Sequence, residues 1–332
     1  MDYSFAVIIT RTPLRISLGG GGTDLPSYYQ EDGGYVLSAA IDKYVYISVN
    51  STFTKDYLLK YSELERIEKV EGIKHPIIRT ACQMMEIPAG VEIVSVADIP
   101  SGTGLGSSGS FTVGLLHALS IHKHIHTSVH DLAEMACHIE IEELKEPVGK
   151  QDQFIAAYGG ISNLEFERNG SVQVSQLELP SHTLADLETN LLLFFTGYSR
   201  SAGSILKDQA QRSVQGDAEM RKNLDETRHL GLQIRDELIL GNAHSFGELM
   251  NEHWQRKRRR SAGMSNPRID ELYELGMANG AVGGKLVGAG AGGFLMFYAE
   301  QPQLLRNKFR SLGLEEVRFR FDHDGTTLLT RS

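Results

Sequence analysis

Cysteine is scarce. Cys82 and Cys137 are the two such residues in 332. Both sit in apolar, helix-like surroundings, and their spacing suits neither a zinc site nor a disulfide framework. Two buried free thiols are expected. Basic charge is also in deficit: 33 Lys and Arg against 42 Asp and Glu give a net charge of −9. That balance excludes a general nucleic-acid binder, and an anionic substrate would need a local basic pocket set against the global field. No run approaches the roughly 20 apolar residues of a membrane span. The start, Met1-Asp2-Tyr3-Ser4-Phe5, lacks the basic opening and apolar core of a signal peptide. A cytoplasmic chain with no membrane partner is the expectation. Fixed-period repeats and low-complexity tracts are missing too.

Glycine is plentiful, at 34 residues, and three clusters stand far apart: 19–22, 102–109 and 288–293. The central one, Pro100-Ser101-Gly102-Thr103-Gly104-Leu105-Gly106-Ser107-Ser108-Gly109-Ser110, follows the alternating run Val91–Val96 and precedes the apolar run Phe111–Leu119. The order reads strand, loop, helix. Glycines allow tight turns and close approach to a ligand, and the serines stand where helix N–H groups would be free to cap or to meet phosphate. An ordinary flexible loop before a well-capped helix is the competing reading. Three such loops in one chain point to a ligand that several backbones approach, usually polyphosphate. None ends in the Gly-Lys-Ser/Thr of a Walker loop. Gly104 to Gly109 fits the dinucleotide pattern formally, but no acidic residue ends a second strand about 20 residues on.

Strands are expected at 5–10, 11–18 (interrupted by Pro13), 34–50, 57–61, 285–287, 294–298 and 315–321, with a hairpin at 161–166 and 171–177 around Asn169-Gly170. Helices are expected at 75–85, from Ser128 to about Leu144, at 150–158, through most of 201–257, from Asn266-Pro267 to Gly280, and at 301–312. The texture changes near 180, where a polar connection precedes the buried strand Leu191–Phe195. The expected division is therefore 1–182 and 183–332.

Among the carboxylates, Glu140 and Asp152 flank the break at Pro147. Phosphoryl transfer needs an anion to hold Mg²⁺ and a carboxylate to orient the acceptor hydroxyl. Glu142, Glu143 and Glu146 are equally acidic neighbours and read as a solvated face. Arg15 and Lys150 could neutralise developing charge, while Arg15 and Asp24 could equally form a surface ion pair around a tight turn. The run Arg256-Lys257-Arg258-Arg259-Arg260 reads as helix C-terminal compensation or as one wall of a phosphate pocket. His122, His124, His126 and His130 lack acidic or cysteine partners at matching spacing, so a solvated helix end is expected rather than a metal site.

Pro100 to Ser110 resembles the phosphate-binding motif of the GHMP kinases, which include galactokinase, homoserine kinase, mevalonate kinase and phosphomevalonate kinase. Arg11-Thr12-Pro13-Leu14-Arg15-Ile16-Ser17-Leu18 with Gly19 to Asp24 resembles their N-terminal substrate motif, and Lys285-Leu286-Val287 with Gly288 to Gly293 their C-terminal glycine motif. Within the family the bacterial D-glycero-D-manno-heptose 7-phosphate kinases are most similar, through Gly20–Tyr29, Gly149–Gln153 and Gly283–Leu286. Galactokinases carry an acidic-His pair where this chain has Gly21-Gly22, which argues against galactose.

The resemblance implies an α+β fold with two domains, the first like the second domain of a ribosomal small-subunit protein and the second ferredoxin-like. It implies ATP and Mg²⁺ as cofactors, a small sugar phosphate as acceptor, phosphorylation at the anomeric hydroxyl, and an assembly that could be a homodimer. Asp152 would be the catalytic carboxylate and Arg15 its stabilising partner. Gly102, Gly104, Leu105, Gly106, Ser107, Ser108 and Gly109 would cradle the triphosphate. Glu140 with Ser108 or Ser110 would hold the metal. Gly21, Gly22, Asp24, Gly290 and Gly292 would meet the sugar. Lys150, Arg200 and Lys257 would take a distal phosphate.

Overall fold

The computed structural model describes residues 7–197, 202–214, 217–261, 263–290 and 292–331. The first half runs β1 (Ile8–Gly19), α1 (Pro26–Asp32), β2 (Gly34–Ser51), β3 (Tyr57–Lys60), β4 (Leu64–Ile67), α2 (Pro76–Met84), β5 (Val91–Ala97), α3 (Ser107–His122), α4 (Val129–Cys137), α5 (Gln151–Tyr158), β6 (Ile161–Phe166) and β7 (Val172–Gln176). The second runs α6 (Ser181–Asn190), β8 (Leu191–Gly197), α7 (Ala202–Val214), α8 (Ala218–Ile239), α9 (Ala243–Arg260), α10 (Pro267–Ala278), β9 (Gly283–Leu286), β10 (Gly293–Tyr298), α11 (Pro302–Ser311) and β11 (Thr327–Arg331).

Strand β2 organises the larger sheet. Its 18 residues are rich in Val, Ile and Tyr, which suit a pleated, buried surface. The first part pairs with β6 and the last part with β5, while β1 runs antiparallel along its other side. The order is β11-β1-β2-β5-β3-β4, with the β6–β7 hairpin branching from β2. Pro13 does not split β1 into two strands as expected. It sits where the β1–β2 register shifts between Pro13 and Leu14, a bulge that tolerates a missing N–H. The smaller sheet is antiparallel, in the order β8-β10-β9.

Helices α3, α5 and α8 pack on β1 and β2. The last therefore brings the second half onto the first sheet. At that junction Gly19 faces Gly231, where a Cβ on Gly19 would lie 2.9 Å from the Gly231 Cα. One buried cluster spans both halves, from Leu14, Ile16 and Val36 to Ile234, Phe246 and Met296. A second lies under β8–β10 around Trp254, Phe297 and Phe309.

Three expectations need correction. The polar connection after residue 180 is the helix α6, whose Thr183, Leu187 and Asn190 are buried. Residues 315–321 form no strand; they touch β8 through a Phe194–Glu316 bridge and β2 through an Ile41–Phe321 bridge. The chain then returns to the first sheet, where β11 pairs with β1, so that sheet is not confined to residues before 182. Both cysteines are buried and free. No helix among the described residues is long and apolar enough to cross a membrane.

Candidate active site

A cleft of about 680 Å³ lies between the halves, lined by all three glycine clusters. Gly106 ends the central loop in the left-handed region (φ 77°) and N-caps α3 with no side-chain hydrogen bond. The first N–H groups of α3 are thus left without a side-chain cap at a positive helix end, an arrangement that binds anions. Gly104 also has positive φ, and a Cβ there would lie 2.7 Å from the Val287 carbonyl oxygen, so the central loop and the third loop touch backbone to backbone. Gly102, Gly104, Gly106, Ser107 and Ser108 line the cleft.

Leu105 and Gly109 depart from expectation. Leu105 packs in the core, and its carbonyl accepts the Arg15 backbone N–H at 3.0 Å. Gly109 faces α5, where a Cβ would lie 2.8 Å from the Asp152 Cβ. Its service is to let the two helices meet.

That contact positions Asp152 against Arg15. Arg15, on β1, is buried, and its Nε and Nη2 donate to the two Asp152 carboxylate oxygens at 2.7 and 2.8 Å. Its Nη1 donates to the Gly104 carbonyl at 2.5 Å, tying the pair to the central loop. Such bidentate geometry fixes direction as well as charge. Asp152 is half-buried in the first turn of α5 and faces the cleft. No Arg15–Asp24 pair forms. The Asp24 carboxylate instead accepts the backbone N–H groups of Gly22 (3.0 Å) and Gln151 (3.2 Å), joining the first glycine loop to α5. Burial, with the Asp152 charge beside it, raises its pKa.

Glu140 lies in a π-helical turn, residues His138–Glu143, that extends α4. Such turns recur at functional sites because they re-aim a side chain. Its carboxylate accepts from Ser108 Oγ (2.9 Å) and Thr112 Oγ1 (2.7 Å). Burial pushes its pKa up to about 7. A buried carboxylate beside a loop hydroxyl suits a hard divalent cation whose remaining ligands come from phosphate and water. Ser110 does not belong to that set: its hydroxyl is fully buried and donates to the carbonyls of Pro13 and Gly106. Among the described residues no group of three or more His, Cys, Asp or Glu could hold a metal, the 122–130 histidines included. Glu142, Glu143 and Glu146 are exposed, as a solvated face requires.

The basic run on α9 divides by face. Arg256 pairs with Glu252 and Glu226, and Arg258 with Asp270. Lys257 and Arg260 are buried and line the cleft, as does His253 one turn earlier. Lys285, on β9, joins them. Lys150 does not: its ammonium meets Glu134 (3.1 Å) and the Gly170 carbonyl (2.7 Å) outside the cleft. Arg200 lies outside the described residues. Gly21, Gly22, Gly290 and Gly292 line the cleft as expected.

Sequence reasoning did not separate Arg260 from the rest of its basic run, and it missed His253 and Lys285 as cleft residues and an aromatic end of the cleft. There His75 stacks on Phe111 (ring centroids 5.0 Å apart) and Tyr61 meets His75 edge-on (4.8 Å). The available signal for α9 was its stripe: Phe246, Met250, His253, Lys257 and Arg260 share one helix face, apolar at the start and basic at the end.

Comparison with known proteins agrees with this arrangement. Residues 73–160 match the GHMP kinases N terminal domain and residues 234–313 the GHMP kinases C terminal. The D-glycero-alpha-D-manno-heptose 7-phosphate kinase of Campylobacter jejuni is 29% identical over 321 residues, covering 93% of this chain and 94% of that protein. The L-fucokinase/L-fucose-1-P guanylyltransferase of Bacteroides fragilis is 25% identical over 91% of this chain, which spans 35% of that longer protein. A solved D-glycero-D-manno-heptose 1-phosphate kinase from Bacteroides thetaiotaomicron shares the fold, with a TM-score of 0.80, 23% identity, and coverage of 97% of this chain and 99% of that one. The two-domain fold expected from the motifs is therefore the fold adopted. With both family domains matched in order, and their glycine loops meeting across one cleft, the chain belongs to the GHMP kinases.

Proposed function

We propose that this kinase transfers the γ-phosphoryl group of ATP to the anomeric hydroxyl of D-glycero-D-manno-heptose 7-phosphate, giving the 1,7-bisphosphate. The product would enter nucleotide-activated heptose synthesis. The observation that carries the reading is the Arg15–Asp152 pair beside the uncapped start of α3, with a second, buried cationic group across the same cleft. The heptose 7-phosphate kinase relative, aligned over nearly the whole chain, supports the choice of sugar.

Each end of the cleft has its task. Tyr61, His75 and Phe111 offer flat, partly apolar surfaces for the adenine ring. The central loop and the α3 N–H groups take the triphosphate. Asp152 accepts a hydrogen bond from the anomeric hydroxyl and receives its proton as the oxygen attacks. Arg15 holds that carboxylate in direction and offsets charge on the transferring group. Asp24, with the Gly21–Gly22 backbone, meets sugar hydroxyls. Glu140 and Ser108 would hold Mg²⁺. When bound, the ion neutralises charge on the phosphate oxygens.

A substrate panel tests the reading. The enzyme should phosphorylate heptose 7-phosphate far faster than free L-fucose or D-mannose. Rapid turnover of a free sugar with none of the heptose phosphate would make it a kinase of unphosphorylated sugars. Turnover of no sugar would leave a ligand sensor on a kinase fold.

A further inference from the structure

We propose that His253, Lys257, Arg260 and Lys285 form the seat of the substrate's non-reacting phosphate, and that His253 is the residue in it that favours a phosphorylated sugar over the free sugar. The inference rests on the sugar-phosphate reading above and names the residues and the selecting group.

Donor capacity is the first argument. Lys257 gives its ammonium to the Leu286 carbonyl (3.1 Å) and to that of Gly288. Lys285 gives one bond, to the Leu18 carbonyl at 2.9 Å. Arg260 donates to Asn223 (3.0 Å), the Gly21 carbonyl (3.1 Å) and Thr227 (2.8 Å). An ammonium has three donors and a guanidinium five, so in their charged forms, which a bound anion favours, all three side chains keep donors in reserve. These bonds also fix the site in space. Leu18, near the end of β1, and Gly21 flank the first glycine turn, while Leu286 ends β9 and Gly288 opens the third loop.

Charge is the second argument. None of the three cations has a carboxylate within salt-bridge distance among the described residues; Asp24 is the acid that acts on Arg260. Burial and mutual repulsion, with Arg15 added, depress the pKa of Lys257 and take that of Lys285 down to about 7. A concentration of buried, uncompensated cations is costly unless an anion completes it.

His253 is the third argument and the sharpest. It is 2% exposed, lines the cleft, and neither ring nitrogen has a hydrogen-bond partner. Buried polar groups are normally paired, so an unpaired imidazole lining a cleft calls for a partner, and an anion beside three cations is one the site would hold. The charged groups around it are Lys257 and Arg260 on its own helix and Lys285 on β9, all repelling a proton. Asp24 and Asp152 are the acids that line the same cleft among the described residues. Burial first, and these cations second, hold the imidazole pKa well below its usual range, so the ring is neutral in the free enzyme. A phosphate dianion offsets the repulsion from these cations and supplies an acceptor for a ring N–H.

Steady-state kinetics of His253→Gln and Lys285→Met decide the matter. Losing a hydrogen bond to a charged group is worth about 10- to 100-fold. Each variant should raise the KM for heptose 7-phosphate by that factor while the KM for ATP moves by less than about twofold. The preference for heptose 7-phosphate over free heptose should narrow with His253→Gln. A rise confined to ATP would assign the cluster to the nucleotide's terminal phosphate and overturn the proposal, as would equal shifts in both constants or none. If the wild type uses no sugar phosphate, the substrate reading fails separately. Inorganic phosphate titrated into enzyme saturated with a non-hydrolysable ATP analogue then tests the seat alone. Binding that is lost in His253→Gln supports it, and binding that is absent or unaffected rejects it.

Discussion

Glu140 shows what burying a carboxylate costs in stability. Its pKa rises from 4.5 to about 7 because burial disfavours the carboxylate. Between those values the folded chain keeps a proton that the unfolded chain releases, so stability declines as pH rises through that window. Glu140→Gln removes the ionisation and keeps the shape. Without added metal, the variant should melt above the wild type at about pH 8, with the advantage gone at about pH 5. Its rate should also need more Mg²⁺. A melting difference that ignores pH would contradict the burial argument. At this scale the sequence was informative where motifs gather residues: Arg15, Asp152 and the Gly21–Asp24 turn line one cleft, and Glu140 sits behind Ser108, outside the lining. It misassigned Ser110 and Lys150 because each stands beside a site residue in sequence but turns to a local partner, the Pro13 carbonyl and Glu134 respectively. His253 and Lys285 were hidden because a single basic side chain carries no sign of what surrounds it.

Helices α3 and α5 meet because Gly109 has no side chain. An alanine there would place its Cβ 2.8 Å from the Asp152 Cβ and 2.9 Å from the Asp152 carbonyl carbon, so backbone has to shift. A displacement of this kind near the chemistry is costly in rate. Gly109→Ala should therefore reduce kcat about 10- to 100-fold while leaving the KM for ATP nearly unchanged, since Gly109 does not line the cleft. A parallel rise in that KM would instead return Gly109 to the triphosphate cradle. Element by element, strong local signals were legible: Ser128 caps α4, Asn266 caps α10, and Asn169-Gly170 turns the β6–β7 hairpin. The failures came where tertiary pairing decides. Residues 315–321 have strand composition but find only bridges. β11 is exposed in most of its residues and is a strand because β1 offers it an edge.

Across the whole molecule, the core runs through both halves and the cleft is their seam. The composition change near 180 marks where the second sheet begins, yet α8 and β11 return to the first sheet. Thermal unfolding should accordingly show one transition. Deleting residues 327–331 should lower its midpoint without splitting it, because β11 supplies a paired edge rather than core side chains. Two resolved transitions in the intact chain would show that the halves are independent. A chain with net charge −9 can then serve an anionic substrate because its buried cations are gathered at that seam. The most direct test of the whole account is phosphorus NMR of the product made from ATP and D-glycero-D-manno-heptose 7-phosphate, with wild type and Asp152→Asn compared. The prediction is a new phosphate ester on the anomeric carbon for the wild type, formed about 10²- to 10⁴-fold more slowly by the variant. A phosphate on any other carbon, or equal rates for the two proteins, would contradict it.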